Sequence, residues 1–258
     1  MIKVSCVNYL NSQPFIYGLK NSSIINEIEL SLDVPSVCAD KLKSGSVNIG
    51  LVPVILIPEL KESHIISDFC IGADGKVDTV LLLSEVPLDK IESILLDNQS
   101  RTSVVLARIL AEKFWNIEPK WILAKNDFEK IIYGTTAAVM IGDKTFNLKN
   151  KFSFVYDLAG EWKKFTGLPF VFACWVSNKE LPSVFIKKFN LALKSGLLQR
   201  NVIAKKFSSD NNSIDMLDYL ENKISYFLDE KKRQAMDSFL KYSEELSASV
   251  IVEEISKG

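Results

Sequence analysis

The chain has 258 residues, of which 47% are hydrophobic and 24% charged, and its formal net charge is −1. That length suits one large domain or two lobes, and the composition is ordinary for a globular protein with a substantial core. A charge so close to zero gives no global field that would draw the chain to nucleic acid or to an anionic membrane. We therefore expect no nucleic-acid partner and no membrane attachment.

The cysteines are far apart in the sequence, and His64 is the only histidine. Cys6 and Cys174 lie in apolar runs, which predicts that both are buried. There is no Cys-x-x-Cys pair, so neither a disulfide framework nor a zinc site is expected. Residues 2–7 have a strand pattern and no basic or long apolar region, which predicts neither a signal peptide nor a transmembrane span. We expect a cytoplasmic protein with no metal and no cofactor.

The first part of the chain alternates between strand and helix patterns. The predicted elements are the strand 2–7, the helix Pro14–Lys20, the strand Glu29–Val34, the helix Pro35–Gly45, the strand Val47–Val54, the turn-rich segment Cys70–Gly75 and the strand Val77–Ser84. Asn11 falls in the loop after the first strand, where open α/β sheets bind ligands. Ser36 is predicted to cap the second helix, and Thr79 lies at the polar start of the last strand.

A second alternation begins at Pro87. Its predicted elements are the strand Ile94–Leu96, the helix Thr102–Phe114, the strand Lys120–Leu123, a helix near Phe128–Tyr133, the strand Ala137–Ile141, the turn Gly142–Asp143, the strand Phe152–Val155, the helix Asp157–Phe165, the strand Phe170–Val176 and the helices Ser183–Phe207, Ile214–Leu228 and Glu230–Leu246. Strands separated by helices predict an α/β fold with mainly parallel sheets flanked by helices. Breaks at Pro87 and Pro169 predict two lobes, residues 1–86 with 173–258 and residues 87–172.

The segment from Leu95 to Ser103 is the strongest candidate for a binding site. A strand end breaks into Asp-Asn-Gln-Ser, after which apolar residues recur at helical spacing. Ser100 is a natural N-cap, and a helix that starts there has Arg101, Thr102 and Ser103 in its first turn. Backbone N–H groups, two hydroxyls and a guanidinium at the positive end of a helix dipole would together bind an anion. An ordinary N-cap with a surface arginine is the alternative. Only four of the 31 basic residues are arginines. In a chain that otherwise uses lysine, an arginine at a helix start indicates that Arg101 has a role that needs bidentate hydrogen bonding.

Seven motifs occur in an order that is familiar from one family. They are Asn8–Pro14, Val34–Ala39, Ile49–Val54, Cys70–Ala73, Ser100–Ser103, Ile141–Asp143 and Thr166–Ala173. Together they resemble the chorismate dehydratases of the futalosine route to menaquinone. The resemblance extends from residue 1 to about 176. It implies a two-lobed fold like that of the type II periplasmic binding proteins, with a ligand cleft between the lobes.

The resemblance also implies a reaction, the removal of water from chorismate to give 3-[(1-carboxyvinyl)oxy]benzoate. The substrate's own enolpyruvyl carboxylate would take the proton, while Asn11 and Thr79 hold it in place; Thr79 stands where the family commonly has serine. The candidate substrate-binding residues are Ser36, Ser100, Arg101, Thr102, Ser103, Gly142 and Asp143. Asp143 is also the alternative base, unless it caps a helix. A small-molecule substrate and a monomer or homodimer are expected.

Three other classes of protein remain open on the sequence. A solute-binding protein for a small carboxylate shares the fold but normally carries an export signal or a lipid anchor. The related 1,4-dihydroxy-6-naphthoate synthase usually opens with a Ser-Pro-Cys-Pro-Asn type of motif, which Asn8–Pro14 does not match. A ligand-sensing effector domain would typically be attached to a DNA-binding helix-turn-helix.

Overall fold

Two six-stranded sheets form the framework of the computed structural model, which describes residues 1–97, 101–124, 128–208, 215–246 and 252–254. The strands are β1 Ile2–Val7, β2 Ile28–Asp33, β3 Ile49–Pro53, β4 His64–Ala73, β5 Val80–Ser84, β6 Ser93–Asp97, β7 Lys120–Ala124, β8 Thr136–Ile141, β9 Phe154–Asp157, β10 Phe170–Ser177, β11 Ser225–Phe227 and β12 Val252–Glu254. The α-helices are α1 Gln13–Lys20, α2 Pro35–Lys43, α3 Arg101–Leu110, α4 Thr145–Leu148, α5 Leu158–Thr166, α6 Ser183–Leu197, α7 Arg200–Ser208, α8 Met216–Asp218 and α9 Glu230–Glu245. Short 3-10 segments lie at Leu10–Ser12, Ser23–Asn26, Val54–Glu59, Leu88–Lys90, Phe128–Ile131 and Lys149–Lys151, and π-helical turns at Ala111–Trp115 and Tyr219–Lys223.

The first of two compact units comprises Met1–Ala73 and Val171–Arg233. Its sheet has the strand order β11-β4-β10-β3-β1-β2. Strand β1 runs parallel to β2 and β3, whereas β10 runs antiparallel to β3 and β11 antiparallel to β4. The parallel part follows from the sequence, because the helices α1 and α2 supply the crossover connections that parallel neighbours need.

The second unit comprises Asp74–Phe170 and Gln234–Gly258, and its sheet has the order β12-β7-β6-β8-β5-β9. Strand β6 runs parallel to β7 and β8, and β5 runs antiparallel to β8 and β9. Both sheets are therefore mixed rather than mainly parallel. The difference arises at β5 and β10, which are the first strands after the chain passes from one unit to the other. Strand β5 runs against both of its neighbours, and β10 runs against β3.

This division differs from the predicted lobes of residues 1–86 with 173–258 and residues 87–172. Strand β5 belongs to the second sheet, so the chain has entered the second unit before residue 86. Pro87 instead precedes the 3-10 segment Leu88–Lys90. Proline favours local turns in general, so it does not by itself mark a boundary between units. Helix α9 belongs to the second unit from Gln234 onward, where the Phe239 ring lies 6.2 Å from Trp162 and 5.1 Å from Phe170.

Two glycines bring α1 and α6 of the first unit into backbone contact. A Cβ added to Gly18 would lie 2.0 Å from the carbonyl oxygen of Ala192, and a Cβ added to Gly196 would lie 1.9 Å from that of Pro14. Each helix therefore carries its glycine where the other helix crosses it. Any other residue at these two positions would push the helices apart.

Aromatic rings fill the space beside this helix crossing. Trp175 of β10 lies between Phe15 of α1 and Phe189 of α6, with ring centroids at 5.9 Å and 5.1 Å in edge-to-face geometry. Tyr226 of β11 also packs edge-to-face on Phe15, at 5.3 Å. Such pairs contribute beyond the area they bury. The cluster fixes α1, and with it the turn that precedes α1, to the first sheet.

Strand β4 is the largest departure from the predicted elements. The prediction of a turn-rich segment at Cys70–Gly75 is wrong for Cys70–Ala73, which completes a ten-residue strand, and the chain bends only at Asp74 and Gly75. Part of the β4 edge is bonded by a side chain: Asn190 of α6 accepts from the backbone N–H of Asp68 at 3.0 Å and donates to the carbonyl of Ile66 at 3.0 Å. A carboxamide thus takes the place that a neighbouring peptide group has in a sheet.

The C-terminal part is also less continuously helical than predicted. The predicted helix Ser183–Phe207 is two helices, α6 and α7. The predicted helix Ile214–Leu228 starts outside the described residues, and its described part holds α8, a π-helical turn and β11. Strand β11 forms because Ser225 pairs with Gly72 of β4, a partner that the local sequence does not reveal. Within the described ranges, no helix has both the length and the apolar character needed to cross a bilayer.

Candidate functional site

Asn11 and Ser36 follow two adjacent strands of the first sheet. Strands β1 and β2 are parallel, with Val7 opposite Asp33, so their carboxyl ends meet at one edge. Asn11 lies in the 3-10 segment between β1 and α1, and Ser36 lies in the first turn of α2. The predicted location of Asn11, in the connection after the first strand, is confirmed.

The prediction that Ser36 caps α2 is wrong. The helix begins at Pro35, and the N-cap position belongs to Val34, whose side chain cannot accept a hydrogen bond. Proline is favoured at the first helical position, because its missing N–H would have no partner there and its fixed φ suits the helix. Ser36 is thus half-buried in the first turn, one residue beyond the boundary.

Asn11 is fixed through both its side chain and its backbone. The buried Ser12 hydroxyl donates to the Asn11 Oδ1 at 3.0 Å, and the Tyr226 hydroxyl donates to the Asn11 carbonyl oxygen at 2.8 Å. Burial, and then the neighbouring Tyr219, raise the pKa of Tyr226 well above its ordinary value, so this phenol remains a neutral donor. With Oδ1 bonded to Ser12, the Nδ2 group is the end of the carboxamide suited to donate to a ligand.

Thr79 and Gly142 face each other at one edge of the second sheet. Strands β5 and β8 are antiparallel with Val80 opposite Ile141, which puts the residue before β5 beside the residue after β8. The Gly142 N–H donates to the Thr79 carbonyl oxygen at 2.9 Å. Gly142 has φ of 75°, a left-handed conformation that glycine adopts without a steric cost. Thr79 is 2% exposed, and its hydroxyl lies 3.5 Å from the Val77 carbonyl oxygen.

The start of α3 belongs to the same edge. Strands β6 and β8 are parallel with Leu96 opposite Val139, so the carboxyl end of β6 lies at the same edge of the sheet as the Gly142 turn. Helix α3 spans Arg101–Leu110 and continues as a π-helical turn at Ala111–Trp115, where the sequence predicts a helix over Thr102–Phe114. Ser100, its predicted N-cap and a candidate binding residue, lies outside the described residues.

The three candidates of the first helical turn differ in burial. Thr102 and Ser103 are 2% and 1% exposed, whereas Arg101 is half-buried. The guanidinium of Arg101 is therefore the group of this turn with surface to offer to a ligand. The hydroxyls of Thr102 and Ser103 are buried to the same extent as that of Thr79, and their binding of substrate stays a prediction.

Asp143 lies in the turn between β8 and α4. Helix α4 begins at Thr145, and its N-cap position belongs to Lys144, so Asp143 comes one residue too early to cap it. The backbone carbonyl of Asp143 accepts from the Phe146 N–H at 3.3 Å, and the residue is half-buried. The capping alternative is therefore wrong, and the role of base stays a prediction.

Two buried side chains that the sequence analysis did not single out hold the turn before β5. The Thr145 hydroxyl lies 3.1 Å from the carbonyl oxygen of Asp78 and 2.9 Å from that of Gly142. The Asp157 carboxylate accepts from the backbone N–H groups of Val77 and Asp78 at 2.9 Å and 2.7 Å. Aspartate is a common residue at a helix start, so a cap at Asp157 could have been expected from the sequence, but nothing in the sequence indicates its bonds to a turn so far away.

The cysteines of the described residues are poor nucleophiles. All four are buried, as predicted for Cys6 and Cys174, and none of them forms a disulfide bond. Burial raises the pKa of Cys38 and of Cys70 to about 12, so both remain thiols at neutral pH. The same part of the chain holds no group of three or more His, Cys, Asp or Glu side chains placed to bind a metal ion.

Comparisons of sequence give one family. A sequence model of the family described as menaquinone biosynthesis matches residues 2–245. A chorismate dehydratase from Thermus thermophilus is 25% identical over 228 residues, which is 80% of this chain and 83% of that protein. A chorismate dehydratase from Campylobacter jejuni is 26% identical over 245 residues, 91% of this chain and 94% of that protein.

Comparisons of structure give one fold. Protein AF1704 from Archaeoglobus fulgidus has a TM-score of 0.73 at 13% identity, covering 95% of this chain and 97% of its own. The alkanesulfonate-binding protein SsuA from Xanthomonas axonopodis pv. citri has a TM-score of 0.61 at 12% identity, covering 98% of both chains. At these identities the likeness concerns the fold alone. It confirms the predicted α/β fold of the periplasmic-binding-protein type.

Proposed function

The chain belongs to the menaquinone biosynthesis family, and on that premise we propose that it is a chorismate dehydratase, a carbon–oxygen lyase that converts chorismate into 3-[(1-carboxyvinyl)oxy]benzoate. The observation that carries the proposal is the similarity to two chorismate dehydratases along 80% and 91% of this chain. Because the proposed reaction belongs to a biosynthetic route, we propose that the protein acts in the cytoplasm, with chorismate as its small-molecule partner.

The chemistry asks for orientation and charge stabilisation. A proton leaves the ring carbon that carries the enolpyruvyl ether, hydroxide leaves the neighbouring carbon, and the ring becomes aromatic. Since aromatisation drives the reaction, the enzyme mainly has to position the substrate. Negative charge develops towards the ring carboxylate, where hydrogen-bond donors contribute most. The half-buried guanidinium of Arg101, at the positive end of α3, suits one of the two carboxylates of chorismate.

The proposed base is the enolpyruvyl carboxylate of the substrate itself. Asn11 would hold this carboxylate through its Nδ2 group, which the Ser12 hydrogen bond to Oδ1 leaves as the donating end. Thr79 would donate from its hydroxyl, which lies 3.5 Å from the Val77 carbonyl oxygen. Asp143, half-buried in the turn after β8, is the alternative base.

A single incubation tests the reaction. The purified protein is mixed with chorismate, and mass spectrometry follows the appearance of a product that has lost one water. Proton NMR of the product then shows whether its ring is aromatic. Binding of chorismate without conversion by the folded protein would contradict the proposal and favour a solute-binding role.

Variants then separate the two candidate bases. If the substrate carboxylate takes the proton, Asp143→Asn keeps most of its turnover while Asn11→Ala and Thr79→Val lose theirs. If Asp143→Asn abolishes turnover and the other two variants are mild, a protein carboxylate is the base. The rates should be measured under single-turnover conditions on folded variants, because such rates report the chemical step and do not include product release.

A further inference from the structure

The carboxylate of Asp157 does more than cap a helix. Asp157 ends β9 and stands at the N-cap of α5, where its Oδ1 accepts the Gly160 N–H at 3.0 Å. That bond gives an acceptor to one of the backbone N–H groups that have no partner within the first turn of a helix. Its Oδ2 accepts two further N–H groups, from Val77 at 2.9 Å and from Asp78 at 2.7 Å. Asp157 is 6% exposed, so water has little access to replace these bonds.

The turn that this carboxylate holds has an unfavourable conformation. Asp78 has φ of 63°, in the left-handed region that side chains with a Cβ rarely adopt. Its N–H is bound by Asp157, and its carbonyl oxygen lies 3.1 Å from the Thr145 hydroxyl. Thr79 follows directly, with its own carbonyl bonded to Gly142. Release of the Asp78 N–H would let the turn relax and would redirect the Thr79 hydroxyl.

The bonding of Asp157 suits a positional role rather than proton transfer. Burial raises the pKa of this carboxyl, and the backbone N–H groups of Gly160, Asp78 and Val77 act against that rise. All three are amide donors, which do not give up their protons under ordinary conditions. The carboxylate therefore orients backbone and does not act as an acid or a base.

From this geometry we propose that Asp157 is a positioning residue for dehydration: its carboxylate fixes the turn at Val77–Asp78 and thereby aims the Thr79 hydroxyl at the substrate. The inference rests on the proposed function for the role of Thr79. Its structural half, that Asp157 holds the turn, does not depend on the reaction and can be measured without substrate.

Asp157→Ser is the variant that separates the two tasks of this side chain. Serine still caps α5 but is too short to reach the amides of Val77 and Asp78. We expect kcat to fall by about 10- to 100-fold with KM for chorismate within about twofold of wild type, as for lost orientation. Hydrogen–deuterium exchange should rise at residues 76–80 and stay low in α5.

A matched control and an isosteric variant guard against trivial loss of folding. Asp215→Ser alters the N-cap of α8, where Asp215 accepts from the Leu217 and Asp218 N–H groups, and should leave kcat unchanged. Asp157→Asn keeps the size of the side chain but turns an NH₂ group towards backbone donors. Its single oxygen can accept on one side only, and the side with two donors, Val77 and Asp78, is favoured. Exchange should therefore rise at the start of α5, and kcat should fall less than in Asp157→Ser.

The double variant shows whether the effect passes through Thr79. In a Thr79→Val background, Asp157→Ser should lower kcat by less than about threefold, because the group that it positions is already gone. Two independent, multiplying losses would overturn the proposal, and so would unchanged exchange at residues 76–80. If wild type fails to dehydrate chorismate, the proposed function falls, while the exchange measurement still decides whether Asp157 holds the turn.

Discussion

Replacing Gly196 with alanine tests how tightly α1 is fixed to the first unit. The new Cβ would lie 1.9 Å from the Pro14 carbonyl oxygen and 2.7 Å from the Gly18 nitrogen. Carbon and oxygen atoms approach comfortably to about 3.3 Å, so the helices would have to separate by roughly 1.4 Å. The obstacle is backbone, and no side-chain rotation can relieve it.

The cost of this substitution follows from three contributions. Overpacking that side chains can absorb costs about 1–3 kcal/mol, and a clash with backbone belongs at the upper end. Separation of the helices also loosens the edge-to-face contacts of Phe15 and Phe189 with Trp175, at about 0.5–1.5 kcal/mol each. Alanine returns about 1 kcal/mol through its better helix propensity. We expect the free energy of unfolding to fall by about 3–5 kcal/mol.

Urea unfolding followed by circular dichroism measures this change. The control is Gly45→Ala in the same unit, because Gly45 has φ of 76° and no heavy atom within 4 Å of the Cβ it would gain. That variant has only the conformational cost, about 1–2 kcal/mol. A loss of stability in Gly196→Ala no larger than in Gly45→Ala would refute the close contact between α1 and α6.

Other substitutions test the candidate site and one ion pair. Arg101→Met should weaken chorismate binding by about 1.5–3 kcal/mol, the range for hydrogen bonds to charged groups; unchanged affinity by calorimetry would remove Arg101 from the site. Asn11→Ala and Thr79→Val should each lower kcat by about 10²–10³-fold with little change in KM, whereas Thr79→Ser keeps most activity; wild-type rates in the first two would contradict their roles. Burial acts to raise the pKa of Asp33, but hydrogen bonds from Lys41 and two serines outweigh it, and the pKa lies below its ordinary value. Asp33 therefore adds to the free energy of unfolding when the pH is above the ordinary carboxyl pKa. This contribution is lost as the pH falls through the lowered pKa of the folded state. Asp33→Asn should therefore be less stable than wild type at neutral pH and approach it in acid; equal urea midpoints at neutral pH would contradict this.

The regular elements up to residue 176 are largely predictable because their signals are local. A buried strand of a parallel sheet is a continuous apolar run, which is why Val47–Val54 predicts β3 at Ile49–Pro53. A proline at a helix start and a glycine after its end likewise mark α2, with Gly45 at φ of 76°. The apolar spacing that predicts a helix over Thr102–Phe114 likewise corresponds to α3 at Arg101–Leu110 and the π-helical turn that follows it. In each case the residues that carry the signal are the residues that form the element.

Strands β4 and β11 could not be predicted in this way, because each depends on a distant partner. Ser225 pairs with Gly72, and Leu228 donates its N–H to the Asp68 carbonyl at 2.8 Å. Glycine weakens a strand taken alone, so Cys70–Gly75 has the composition of a turn. The pairing supplied by the fold outweighs that local preference, as tertiary context commonly does for strands.

The candidate site divides along the same line. Asn11 and Arg101 stand out in the sequence because they occupy helix-initiating turns and carry groups that bind anions. Thr145 and Asp157 carry ordinary polar side chains, and their importance lies in backbone groups that the fold brings to them, such as the Asp78 N–H and carbonyl. A residue that touches the ligand must have the right chemistry, which a sequence displays. A residue that positions another needs only the right location, and that location exists only after the chain has folded. Further positioning residues of such a site should therefore be sought among the buried hydrogen-bond acceptors that contact the backbone of its turns.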